Sequence, residues 1–326
     1  MSSDRLRYLV GRPWRDIALP DDAVGIPTML SKTERKLLYG LARDYASGDG
    51  AIVDAGSFLG GSTAALLAGV RDRSERWAGP PVASYDLFRV EASSLEKFFG
   101  DDPDLRVGDS FRSRFDENVA RFDVPHLVHE GDITKVGWDG GPIDVLFLDV
   151  LKSWHINDAV HRDFFPALVP GRSVVVHQDY GWGSHPWVPI TVELMRDSLV
   201  LVDWMEWGSH VFFVEHEVPA ELIAGGVAGL DFDTRLELMD RAVARADSWV
   251  RGMLEAGRAY LLAERDGDDA AAAELAAVAA RYKPYGTVQS CVEDVANELG
   301  VDVGARTRNG SGWRARVAAA RRRVSP

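Results

Sequence analysis

Five aspartates stand where short apolar runs give way to polar residues: Asp54, Asp86, Asp132, Asp149 and Asp179. In open α/β sheets such strand ends face the crevice where ligands bind. The first lies in a glycine-rich segment, IVDAGSFLGGST, residues 52–63. Gly56 and Gly60 there let the backbone approach a ligand, while Ser57, Ser62 and Thr63 offer hydroxyls to a ligand or cap the following helix. Asp86, thirty positions after Gly56, is placed to accept two hydrogen bonds from ribose hydroxyls. Asp132 can accept from an adenine amino group or hold its own loop, and Phe88 or Ile133 can pack on a base. The dinucleotide pattern GxGxxG is absent, GSFLGGS standing in its place, and no Walker A lysine motif occurs. The expected ligand is a nucleoside without a long phosphate chain.

Two further segments carry reactive groups, FLDVLKSWH at 147–155 and VVVHQDY at 174–180. Asp149 and Asp179, with Gln178 and waters, form an oxygen donor set suited to Mg²⁺, which would favour the alkoxide of a bound alcohol. The competing reading makes Asp149 a helix cap or the ion-pair partner of Lys152 and places Asp179 in a turn. Lys152, His155 and His177 are the candidate proton acceptors. Lys152 needs a lowered pKa for that work. His155 can equally be structural, and His177 can be a ligand, a base or a group that orients Asp179. The segment GWGSHPWVP, 181–189, reads as an ordered loop in which Trp182, His185 and Trp187 can face a sugar ring.

Positioning these groups requires alternating strands and helices. Ser31 and Glu34 resemble a capping box ahead of Leu37, Leu38, Leu41 and Tyr45 at helical spacing. Strands are expected at about Ala51–Asp54, Val82–Tyr85, Leu127–His129, Ile143–Leu148 and Ser173–Val176, with helices from about Gly61 to Gly69 and over 156–167. Near-continuous apolar strands separated by helix-length stretches predict a mostly parallel sheet covered on both faces. Ser198–Glu217 reads as two closing strands, at least one antiparallel. The expected organisation is an N-terminal extension at 1–27, a nucleoside-binding domain at 28–219 and a mainly helical appendage at 220–326.

Composition narrows the classes. At 326 residues with a net charge of -13, the chain can bury a large core and lacks the basic surface that nucleic acid demands. A single cysteine, Cys291, excludes an internal disulfide and suits the cytoplasm. The first twenty residues are too charged for a secretory leader, and no apolar run is long enough to span a membrane. Seven arginines lie between 306 and 323, a basic tail that reads as a solvated terminus.

In combination and order, residues from about Gly25 to Glu217 resemble class I S-adenosylmethionine-dependent methyltransferases, nearest to the macrocin O-methyltransferase-like group that modifies sugar hydroxyls. IVDAGSFLGGST resembles the cofactor loop, the acid of SYDLF the ribose acid, and HEGDI the segment beside adenine. PIDVLFLDV and PGRSVVVHQDY resemble the fourth and fifth strand signatures. The resemblance implies a Rossmann-like, seven-stranded sheet with S-adenosyl-L-methionine held by Asp54, Gly56, Ser57, Gly60, Ser62, Thr63, Asp86 and Asp132. It further implies Mg²⁺ held by Asp149 and an Asp-Asp or Asp-Asn pair, here altered to Gln178-Asp179 or, in another register, His177-Gln178. DVLK is similar to the Asp-x-x-Lys of catechol-type enzymes, whose lysine is the base. The implied acceptor is a small-molecule hydroxyl, with a sugar as one candidate. Two alternatives stay open, a metal-independent transferase with a histidine base and a non-catalytic nucleoside-binding or assembly protein. The appendage and extension can cover the acceptor, form a homo-oligomer or complete the core.

Overall fold

A computed structural model describes residues 2–74, 77, 81–100, 102, 104–205 and 208–303. The basic tail lies outside the described residues. Seven strands form one sheet: β1 (Ala51–Ala55), β2 (Val82–Asp86), β3 (His126–Glu130), β4 (Ile143–Leu148), β5 (Val174–His177), β6 (Leu199–Trp204) and β7 (His210–Val214). Their order is β3-β2-β1-β4-β5-β7-β6. The first five pair in parallel, and β7 runs antiparallel to both β5 and β6.

The helices are α1 (Ser2–Gly11), α2 (Asp21–Val24), α3 (Lys32–Gly40), α4 (Gly61–Arg71), α5 (Ala92–Phe99), α6 (Arg112–Val119), α7 (Ile133–Val136) and α8 (Trp154–Phe164). They continue as α9 (Trp187–Leu194), α10 (Ala220–Gly225), α11 (Phe232–Arg245), α12 (Ser248–Asp266), α13 (Asp268–Arg281) and α14 (Gly286–Leu299). The chain divides into two compact units, Met1–Gln178 with Arg196–Ala224, and Asp179–Met195 with Gly225 onward. The extension at 1–27 thus belongs to the sheet unit, and the segment 179–195 to the helical one.

Within the sheet unit, strand composition follows position. The interior strands β4 and β5 are buried throughout, because helices cover both faces and leave no polar side for alternation. Edge strand β3, HLVHE, is only partly covered. The other edge, β6, carries an irregularity between Leu201 and Asp203, and Asp203 is buried. A bulge re-aims side chains in this way. The buried carboxylate meets Arg12 at 3.2 Å and Arg15 at 2.8 Å, which ties the N-terminal segment to the sheet.

The expected capping box forms at α3. Ser31 Oγ accepts from the Glu34 amide at 3.2 Å, and Glu34 Oε2 accepts from the Ser31 amide at 2.7 Å. The apolar spacing through Tyr45 continues past α3 as a π-helical turn, Leu41–Tyr45. The helix expected over 156–167 starts earlier, where Ser153 caps it through the Ile156 amide at 3.2 Å, and tightens to a 3₁₀ turn over Phe165–Ala167. Pro166 lacks the amide hydrogen that would continue α8.

The helical unit has its own core, with Met253, Leu275, Val278, Val288, Cys291 and Val295 packed among α12, α13 and α14. Arg245 closes on the buried Glu193 at 3.0 Å. Among the described residues no helix is long and apolar enough to cross a membrane.

Candidate active site

The sheet order reverses at β1, whose successor β2 lies on one side and β4 on the other. The crevice at that switch point is where an open α/β sheet binds its ligand. Both flanking strand ends are tied to the glycine loop. Gly56 and Ser57 donate their amides to the Tyr85 carbonyl at 2.9 and 3.2 Å, and Asp149 donates its amide to the Ala55 carbonyl at 2.8 Å. Gly56 has φ +96°, and a Cβ there would lie 2.3 Å from the Asp149 carbonyl oxygen. Its lack of a side chain is therefore what lets the loop on β1 sit against the end of β4. Gly60, φ +90°, opens α4 against Val119 and Phe115. Both glycines are required by the protein's own packing, before any ligand is considered.

Asp54 lies beneath the loop. It is fully buried, and its Oδ2 accepts from Ser62 Oγ at 3.0 Å and Thr63 Oγ1 at 2.5 Å. Burial pushes its carboxyl up to about 6, against the pull of the two hydroxyls. Ser62 and Thr63 are thus engaged with Asp54, which fixes the first turn of α4. Removing the shorter contact by Thr63→Val is expected to cost ~1–3 kcal/mol in chemical denaturation, because a buried carboxylate loses a donor. Two buried oxygens at this loop, Asp54 Oδ1 and Ser57 Oγ, have no protein partner among the described residues.

Asp86 is clamped rather than open. Its Oδ2 accepts from the Phe58 amide at 2.8 Å and its Oδ1 from the Phe88 amide at 2.6 Å. Burial raises its pKa above the ordinary carboxylate range despite these two amides. Asp132 caps α7 through the Thr134 amide and hydroxyl at 3.0 and 2.8 Å, and Lys135 approaches it at 3.3 Å. Those hydrogen bonds hold its pKa below the usual range. Of its two expected uses, the structure shows the loop-holding one. Phe88 and Ile133 are both buried.

At the end of β4, Lys152 Nζ lies 2.9 Å from Asp149 Oδ1. The lysine side chain is half exposed and the aspartate mostly covered. His155 is exposed in the first turn of α8. His177 is different: fully buried, stacked on His161 at 5.5 Å and edge-on to Phe212 at 5.8 Å. Gln178 follows it and donates its amide to the Leu148 carbonyl at 3.0 Å. Asp179 belongs to the helical unit, where its carboxylate lies 3.5 Å from His185 Nδ1.

The two implied ligands fare differently against these groups. For a nucleoside cofactor, the unpartnered Ser57 hydroxyl and the second lone pairs of Asp86 fit a ligand rich in hydroxyls and amino groups. For a divalent ion, the sheet unit supplies the Asp149 carboxylate, already paired with a lysine ammonium, beside a neutral glutamine. Among the described residues no three His, Cys, Asp or Glu side chains are grouped to hold a metal. Within the sheet unit this leaves Asp149 and Gln178 as the oxygen donors, with Lys152 2.9 Å from the carboxylate.

Sequence reasoning did not place His161, nor the elements α5 and α6 between β2 and β3. The repeated phenylalanines at 98, 99, 111, 115 and 122 were the available sign of a packed aromatic layer there.

A mostly parallel seven-stranded sheet with this order, helices around it and one antiparallel strand, β7, is a Rossmann-like α/β fold. No protein-family model matches the chain, and neither does any curated protein. Solved structures similar to it include CalS11, described as a calicheamicin methyltransferase, at 14% identity and TM-score 0.42, over 65% of this chain and 91% of that one. An apo structure of CalS11, described as a TDP-rhamnose 3'-O-methyltransferase, matches at 14% identity and TM-score 0.41, over 65% and 93%. The pyocyanin biosynthetic protein PhzM matches at 14% identity and TM-score 0.33, over 56% and 58%.

Proposed function

We propose that the chain is an S-adenosylmethionine-dependent O-methyltransferase acting on a hydroxyl of a small molecule, a sugar or a glycosylated compound. The observation that carries the reading is the seam between β1 and β4. There a glycine loop, its buried acid and the Asp149–Lys152 pair meet backbone to backbone at the switch point.

S-Adenosylmethionine supplies an electrophilic methyl group on a sulfonium. Asp86 and the Ser57 hydroxyl hold the nucleoside, with Gly56, Gly60 and the Asp54–Ser62–Thr63 network shaping the loop. Asp132 positions the neighbouring loop. Asp149 holds the Lys152 ammonium, which donates a hydrogen bond to the acceptor oxygen and steadies the charge there. His155 takes the hydroxyl proton as general base, its ring exposed in the first turn of α8. His177, sealed against His161 and Phe212, supports β5 from within. Positioning and electrostatics supply the main acceleration, since direct methyl transfer needs no covalent enzyme intermediate.

The ion pair favours the metal-independent form of this reading, with a histidine base. In its Mg²⁺-assisted form, Asp149 would have to exchange Lys152 for the ion. Formation of S-adenosylhomocysteine over a panel of glycosides and nucleotide sugars, with and without EDTA, tests both forms. His155→Gln is expected to lower kcat about 10²- to 10⁴-fold with cofactor affinity unchanged. Failure to bind S-adenosylhomocysteine would end the reading. Loss of all turnover in EDTA, restored by Mg²⁺, would reinstate the metal.

A further inference from the structure

The Asp86 clamp is built from two unusual turns. Phe58 and Phe88, whose amides hold the carboxylate, both have left-handed backbone, φ 47° and 50°. That conformation costs a residue with a side chain roughly 1–2 kcal/mol, so the surroundings must hold it in place. The rings do so by meeting on a third one. Phe111 lies edge-on to Phe58 at 5.4 Å and to Phe88 at 5.7 Å. Phe111 is itself buried, and its amide donates to the Phe88 carbonyl at 3.0 Å. A short ribbon fixes its approach: Val90 donates to the Asp109 carbonyl and Gly108 to the Val90 carbonyl, each at 2.9 Å.

Each oxygen of Asp86 thus spends one lone pair on an amide and keeps one. Two remaining acceptors on one carboxylate suit a vicinal diol, which brings two neighbouring donors. A single hydroxyl can use only one of them. The direction in which the remaining pairs face is fixed by the amides, hence by the two turns, hence by the ring contacts on Phe111.

We infer that Phe58, Phe88 and Phe111 are positioning residues that set the recognition of a ribose diol by Asp86, with Phe111 as the keystone. This inference rests on the cofactor reading above. It extends the site to a residue 25 positions beyond the acid and makes the ribbon of Val90 with Gly108 and Asp109 part of cofactor selectivity.

The test is calorimetric titration of the full chain with S-adenosylhomocysteine and with its 2′-deoxy analogue. Phe111→Ala is expected to weaken the first about tenfold and the second much less, collapsing the ratio of the two affinities. Phe111→Leu, which keeps an apolar filler, should retain most of the ratio. Phe122→Ala, another buried ring outside the trio, should lower stability and leave the ratio alone. Equal weakening of both ligands in the Phe111 variants, or an unchanged ratio, would overturn the inference while leaving the cofactor reading intact. A wild-type chain that binds neither ligand would remove both together.

Discussion

Gly56→Ala is expected to destabilise the fold by ~3–5 kcal/mol and to weaken S-adenosylhomocysteine binding at least tenfold in whatever remains folded. Two costs combine at this position. The backbone is left-handed, φ +96°, which an alanine tolerates poorly. The added Cβ would also lie 2.3 Å from the Asp149 carbonyl oxygen and 2.7 Å from its carbon, both backbone atoms. Neither side can give way cheaply. The loop is tied to β2 through the Tyr85 carbonyl, and Asp149 is tied to β1 through the Ala55 carbonyl. Relief of the clash breaks one of those bonds and separates the glycine loop from the Asp149–Lys152 pair. Gly108→Ala separates the two costs, since Gly108 has nearly the same φ, +95°, and a Cβ there would meet nothing within 4 Å. It should cost only about 1 kcal/mol. Urea denaturation of both variants decides the matter; comparable losses would mean that the contact with Asp149 carries no weight.

The architecture was legible where local chemistry and burial agree. Strands β1, β4 and β5 are apolar because both faces are covered, so their sequence alone shows a parallel sheet interior. The Ser31–Glu34 cap needs only four adjacent residues and was readable for that reason. What stayed hidden depends on the partner of a side chain. Asp54, Asp86 and Asp132 all look like ligand acids in sequence, and all three stand at the expected loops. Yet Asp54 turns under the loop to hold Ser62 and Thr63, and Asp132 turns back to cap α7. An aspartate at a strand end can satisfy its own backbone or a ligand with the same atoms, and spacing does not distinguish the two. The Asp149–Lys152 contact was one of two readings, separable only by a distance. The bulge that buries Asp203 for Arg12 and Arg15 depends on residues about 190 positions apart, beyond any local pattern.

Three buried imidazoles make the second large effect one of pH. His177 and His210 are opposed across the antiparallel β5–β7 pair, and His161 on α8 stacks on His177 with an interplanar angle of 15°. His161 Nδ1 donates to the Asn157 carbonyl at 2.6 Å and His210 Nδ1 to the Gly208 carbonyl at 2.9 Å, which places a proton on Nδ1 of each ring. Burial pushes His161 and His210 down to about 4, and His177 well below its ordinary value, with repulsion from its two neighbours adding to burial. Asp158 and the two carbonyls favour the charged forms but do not offset burial. A histidine with a depressed folded pKa binds fewer protons folded than unfolded. Its contribution is complete above the unfolded value of about 6.5 and is lost as pH falls toward the folded one. His161 and His210 each account for about 3 kcal/mol over that window. Asp54 works in the opposite direction, because its carboxyl is raised to about 6; it favours the fold as pH drops from 6 toward the unfolded value, by roughly the amount of one histidine. Asp86, also raised by burial, adds to the side of Asp54, and His177 to that of the other two imidazoles, so the three rings leave a net loss of stability between pH 6.5 and 4. Urea midpoints measured at pH 7, 5.5 and 4.5 should therefore fall steeply. His161→Phe keeps a stacked ring without a titrating nitrogen and should flatten that slope while lowering the midpoint at pH 7 through the lost bond to Asn157. A midpoint that stays constant from pH 7 to 4.5, or a slope unchanged in His161→Phe, would mean that water reaches these rings and charges them inside the folded protein.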